Sequence, residues 1–168
     1  MKRPQVCIVM GSTSDLPVMK AAAEVLDSFE VPFRITISSA HRSPDRTKKL
    51  AQDGEREGIK VFIVGAGYAA VLAGVIAAET VVPVLGVPIE SSPLRGFDAL
   101  LATVQMPAGV PVGTMSVGIS GAKNAALMAV EIVGLSDPEL QDRYRAYKRE
   151  LAEGVEARAR EVERQFEK

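Results

Sequence analysis

The sequence predicts an α/β fold: a three-layer, doubly wound parallel sheet of the flavodoxin-like type, with an extended C-terminal helix. Three observations carry this expectation. Short runs that are apolar throughout, such as Val6-Cys7-Ile8-Val9-Met10 and Val61-Phe62-Ile63-Val64, alternate with stretches of helical periodicity, and strands without polar alternation are those buried on both faces of a parallel sheet. Several of these runs end in a Gly- or Ser-rich turn that leads into a helix-forming segment, which is the order of a βαβ unit. The 168 residues fit one domain, long enough to bury about two-thirds of the unfolded surface in a single core. We therefore expect a single domain over 1–168, with its core at about 5–134 and the last helix at about 138–168.

The first strand, Val6 to Met10, is closed by Gly11-Ser12-Thr13-Ser14-Asp15, and Leu16 to Phe29 then carries apolar residues at helical spacing. Pro32 to Ile37, β-branched and apolar, reads as the second strand, and Pro44 to Glu57 as a charged amphipathic helix stopped by Gly58. Lys60 to Val64 is the third strand, followed by a Gly/Ala-rich segment to Ala78; Pro83 to Val87 is a short fourth. A loop from Pro88 to Pro93 leads to a helix at Gly96 to Val104. Val112 to Val117 is then expected as a fifth strand entering a helix at Ala122 to Val133. Asp137-Pro138 caps the last helix, Glu139 to about Lys168, which carries few large apolar residues after Leu151 and suits a peripheral or intersubunit position.

Composition narrows the function classes. A net charge of −1, no tryptophan and few aromatics offer neither the positive field nor the stacking platform that nucleic acid requires. The one cysteine, Cys7, permits no internal disulfide and no cysteine-based metal cluster, which suits a reducing, cytoplasmic setting. No stretch is long and apolar enough for a signal peptide or a membrane span. An apolar share of 47% against 24% charged residues leaves more apolar material than one core consumes, so a homo-oligomer interface is expected.

In a doubly wound sheet, ligands collect outside the carboxyl ends of the strands. Two candidate segments fall at such ends. Gly11 to Asp15 combines backbone N–H groups, the hydroxyls of Ser12 and Ser14 and a helix N-terminus, the requirements of a phosphate monoester. An ordinary cap, with Ser14 or Asp15 satisfying the first helical turn, explains the same residues. A carboxylate repels phosphate, so Asp15 is expected to accept hydrogen bonds from sugar hydroxyls instead. The second segment, Ser38-Ser39-Ala40-His41-Arg42-Ser43-Pro44-Asp45, holds the chain's only histidine, and unperturbed imidazole alone exchanges a proton near neutral pH. Arg42 beside it offers a planar fork for phosphate. In Gly65-Ala66-Gly67, paired glycines let a flat ligand lie against bare backbone.

Other chemistries fit poorly. Ala70 stands where the dinucleotide fingerprint needs its third glycine, and Ser38 and Ser39 end the second strand where an acidic residue belongs. One histidine and one cysteine leave little to bind zinc, and no serine lies in a Gly-x-Ser-x-Gly elbow. Proton transfer without metal or cofactor on a phosphorylated small molecule remains.

The segments Val9 to Asp15, Ser39 to Asp45, Gly65 to Gly67, Pro83 to Pro88, Val104 to Thr114 and Ala122 to Ala126, in that order, closely resemble the PurE family of purine biosynthesis over about Val6 to Val133. The resemblance implies a flavodoxin-like subunit, usually of an octamer. It implies conversion of N5-carboxyaminoimidazole ribonucleotide to 4-carboxy-5-aminoimidazole ribonucleotide without metal or cofactor. On matching positions it makes His41 the acid/base group and Ser12, Asp15 and Arg42 ribonucleotide-binding, with Ser14, Ser39, Ala40, Gly67 and Leu72 also at the substrate.

One loop departs from the pattern. Mutases of the resembled family usually read Gly-Ala-Gly-Gly-Ala-Ala-His-Leu-Pro-Gly where this chain has Gly65 to Gly74, so Tyr68 replaces a glycine, Val71 a histidine and Ala73 a proline. The sister class, which carboxylates aminoimidazole ribonucleotide directly with carbon dioxide, also lacks that histidine but carries a different signature elsewhere, and outside this loop the chain resembles the mutase class. Direct carboxylation, a relative acting on another aromatic nucleotide, and a silent nucleotide-binding module are the alternatives; the intact His41-Arg42 pair speaks against the last.

Overall fold

Five parallel strands form one sheet in the order β2-β1-β3-β4-β5: β1 Val6–Met10, β2 Phe33–Ile37, β3 Val61–Ala66, β4 Val84–Pro88 and β5 Gly113–Thr114. The computed structural model describes residues 3–167; Met1, Lys2 and Lys168, the termini of the expected first and last segments, lie outside the described residues. Helices α1 (Leu16–Ser28), α2 (Pro44–Arg56), α3 (Leu72–Ala78), α4 (Phe97–Val104), α5 (Ile119–Gly134) and α6 (Pro138–Phe166) complete the fold.

The strand pleat sorts the core into two layers. Val6, Ile8, Met10, Val61 and Ile63 face α1 and α5, whereas Cys7, Val9, Phe62 and Val64 face α2, α3 and α4. Both sides of β1 and β3 are fully buried, which is why these strands read as unbroken apolar runs. In register, Val6 lies between Phe33 and Val61, and Met10 between Ile37 and Gly65. Their ends therefore reach the rim together. Glycines keep the layers close: a Cβ on Gly65 would come within 2.3 Å of Met19 Sδ, and one on Gly54 within 2.6 Å of the Phe62 ring.

Several boundaries differ from the sequence expectation. β3 continues through Gly65 and Ala66 because both neighbours supply ladder partners there, Gly11 N–H donating to Gly65 O and Ile89 N–H to Ala66 O. The helical part of the Gly/Ala-rich stretch is thus confined to α3. The fifth strand shrinks from six residues to Gly113–Thr114: it lies at the edge with one partner, and the chain turns at Gly118, whose φ of +78° favours glycine. From that turn α5 starts three residues before Ala122, with Ala122 N–H donating to Gly118 O.

The last helix is anchored only at its start. Asp137 accepts from Leu140 N–H at 3.1 Å, Leu140 is buried, and Tyr147 meets the Phe29 ring edge-on at 5.5 Å between centroids. Beyond Leu151 the helix is almost wholly exposed. Among the described residues, no helix is long and apolar enough to cross a membrane.

Candidate active site

The turn after β1 is built by reciprocal capping. Ser12 has extended backbone and its hydroxyl accepts from Ser14 N–H, while Asp15 Oδ2 accepts from Ser12 N–H at 3.0 Å. The cap is therefore Ser12 with Asp15 as its counterpart, rather than Ser14 or Asp15 acting alone. Asp15 is 5% exposed. Burial pushes its carboxyl above the usual carboxylate range, against the opposing pull of hydrogen bonds from the backbone at Ser12 and Gly11 and from Ser14.

The turn after β2 is held at both ends. Ser38 is buried and its hydroxyl meets that of Thr47, in the first turns of α2, at 2.8 Å. Ser39 N–H donates to Ser43 Oγ, and Ser43 Oγ–H and N–H both return to Ser39 O. Between these anchors His41 and Arg42 are exposed at the rim, while Ala40 is partly buried against the core layer of Cys7 and Val9. Arg42 then bridges the two turns: Nε donates to Ser39 Oγ and Nη2 to Gly11 O, each at 3.4 Å. Its guanidinium stays exposed, with further donors free for an anion.

These turns and the loop after β3 enclose a cavity of about 400 Å³. Its walls include Ser12, Ser14, Asp15, Ser39, Ala40, His41, Arg42, Gly67 and Leu72. All nine candidate residues from the sequence thus surround one space at the carboxyl ends of β1, β2 and β3. Tyr68, Ala70 and Val71 join them from the departing loop. Tyr68 and Ala70 adopt φ of +53° and +38°, a region that favours glycine, so the backbone there retains the shape of a glycine-rich loop while Tyr68 projects a largely exposed ring at the mouth.

One lining residue escaped the sequence reading. Ser91, three residues beyond β4, reaches the cavity with its hydroxyl oxygen buried and unpaired among the described residues. Charge is unevenly spread over the lining: Arg42, His41 and Asp15 come from the turns after β1 and β2, while the side formed after β3 and β4 is uncharged. No group of three or more His, Cys, Asp or Glu side chains that could hold a metal ion occurs among the described residues. The arrangement can bind an anion and a polyol at one end and offer an imidazole to a ligand in the same space.

The chain is similar to known proteins over most of its length. The family model described as AIR carboxylase matches residues 5–154. An N5-carboxyaminoimidazole ribonucleotide mutase of Pyrococcus horikoshii is 52% identical over 162 residues, covering 96% of this chain and 90% of the relative. The enzyme of that name from Escherichia coli K12 is 47% identical over 151 residues, covering 90% and 89%. Among solved structures, Treponema denticola PurE superposes with a TM-score of 0.85 at 27% identity, covering 99% of this chain and 100% of that one.

Proposed function

The chain belongs to the AIR carboxylase family, and we propose that it converts N5-carboxyaminoimidazole ribonucleotide to 4-carboxy-5-aminoimidazole ribonucleotide, a mutase step of purine biosynthesis. The observation that carries this reading is the convergence of His41 and Arg42 with Ser12 and Asp15 on one cavity. Arg42 and the Ser12–Ser14 turn take the phosphate, Asp15 accepts from ribose hydroxyls, and Ser39, Ala40, Gly67 and Leu72 bound the heterocycle.

The transfer balances with one imidazole. His41, protonated, gives its proton to the exocyclic nitrogen as the N–C bond to the carboxylate breaks; that electron pair stays on nitrogen and carbon dioxide is released within the cavity. The enamine-like ring carbon attacks the carbon dioxide, forming the new C–C bond. Neutral His41 then removes the proton from that carbon, and the C–H electrons restore the aromatic ring. One proton is given and one recovered, so His41 ends as it began. Holding both fragments in one cage makes recombination intramolecular, and exclusion of water limits escape of the carbon dioxide.

His41, Arg42 and Tyr68 are exposed in the isolated chain, so retaining carbon dioxide needs a cover. A neighbouring copy in a homo-oligomer, an octamer in our reading, is the cover we propose. Exposed apolar side chains support such assembly: Ile35 and Ile37 on edge strand β2, Phe97, Leu101 and Val104 on α4, and Leu151 and Val155 on α6. We also take 1–168 to work as one domain in the cytoplasm, with a free ribonucleotide as its partner.

Val71, standing at the cavity wall in place of a histidine, favours direct carboxylation as a second reading. Supplying purified protein with each substrate, with and without bicarbonate, separates the two by ultraviolet absorbance. Turnover of the N-carboxylated ribonucleotide without bicarbonate is the expected result; turnover of aminoimidazole ribonucleotide alone, only when carbon dioxide is dissolved, overturns it in favour of the carboxylase.

A further inference from the structure

Ser91 lines the cavity, and its hydroxyl oxygen is buried and unpaired among the described residues. A buried hydroxyl without a partner is unfavourable, and one on a cavity-lining residue gains a partner by turning toward the ligand when it arrives. We propose that Ser91 donates a hydrogen bond to a carboxyl oxygen of the group in transit, holding it between its release from nitrogen and its capture by carbon. This assignment rests on the mutase reading and adds the residue that binds the migrating group.

The layout of the site directs the hydroxyl to that group. Arg42 reaches Gly11 O and Ser39 Oγ, so the one guanidinium of the lining, and with it the phosphate, sits over the ends of β1 and β2. Ser91 enters from the end of β4, and its Oγ packs against Gly67, one residue past β3, on the side of the cavity formed after β3 and β4. The uncharged wall around Ser91 therefore faces the heterocycle.

The position is also prepared by its neighbour. A Cβ on Gly67 would lie 1.7 Å from Ser91 Oγ and 3.1 Å from Ile89 O, so only the bare backbone of Gly67 leaves room for the hydroxyl. Ile89 N–H donates to Ala66 O, extending the ladder one residue past β4 and fixing the start of the segment that carries Ser91. A hydroxyl is suited to the task. It can accompany a group that changes from a carboxylate to neutral carbon dioxide and back, whereas a cation would hold the charged ends more tightly than the species between them.

The test separates recognition of the carboxyl group from recognition of the rest of the molecule. In a His41→Asn background, which slows turnover, calorimetric affinities are measured for 5-aminoimidazole ribonucleotide and for 4-carboxy-5-aminoimidazole ribonucleotide, with and without Ser91→Ala. Ser91→Ala is expected to weaken the carboxylated ligand about tenfold to a hundredfold, the range for a hydrogen bond to a charged group, and the uncarboxylated one less than twofold. The thermal midpoint of the unliganded protein should not fall, since no protein hydrogen bond is removed. Ser91→Cys, a weaker donor of similar size, is expected to lose selectivity in the same direction. Equal loss for both ligands, or no loss for either, overturns the assignment. Failure of the parent His41→Asn protein to bind either ribonucleotide would instead overturn the mutase reading on which it rests.

Discussion

The Ser38 and Thr47 hydroxyls meet 2.8 Å apart in the buried layer beneath the turn that carries His41. Thr47 also donates to Ser43 O, so this pair ties the last residue before the turn to the helix after it. Thr47→Val keeps the shape of the side chain but leaves Ser38 without its side-chain partner. The expected cost is about 1–3 kcal/mol, read as a lower urea midpoint, with a lower kcat because His41 loses its fixed base. Ser38→Ala added to Thr47→Val should recover part of the stability. A single variant as stable as the parent contradicts the pairing.

Asp15 sets stability against function. Burial holds its folded pKa above the ordinary 3.8, so its contribution to stability is fully present below the unfolded pKa and is lost as pH rises through the folded value. At neutral pH the ionised carboxylate opposes folding. Asp15→Asn should therefore unfold at a higher temperature near pH 7, with the gain shrinking as pH falls toward 4. Ribonucleotide affinity should fall. Thermal scans between pH 4 and 7 check the sign; a variant less stable at pH 7 than the parent would show that the capping hydrogen bonds outweigh burial.

The proposed function has Arg42 bind phosphate as a planar fork. Arg42→Lys keeps the charge and removes the fork, so the affinity for aminoimidazole ribonucleotide is expected to drop about tenfold or more, the scale of a hydrogen bond between charged groups. The corresponding nucleoside, lacking phosphate, should bind almost unchanged. Equal losses in paired titrations reject the phosphate role.

The legible part of this protein was set by local chemistry. Unbroken apolar runs at Val6–Met10 and Val61–Val64 announce strands with two covered faces, and a parallel sheet carries the turns that follow them to one rim. That is why Ser12, His41 and Gly67, remote in sequence, surround the same cavity. What stayed hidden depends on neighbours. Ser91 lies in a Glu-Ser-Ser-Pro loop without a motif of its own, and only its contact with Gly67 shows where it points; its place just past a strand end was the available signal. The edge position of β5 and the left-handed backbone of Tyr68 are likewise products of packing and of the loop's path.

The central claim is that one imidazole carries both proton movements of the transfer. The most direct measurement is the kcat of His41→Asn on N5-carboxyaminoimidazole ribonucleotide, with ligand affinity measured alongside. A fall of about 10²- to 10⁴-fold with ribonucleotide affinity retained is the predicted result. Turnover within a few-fold of the parent would contradict the account.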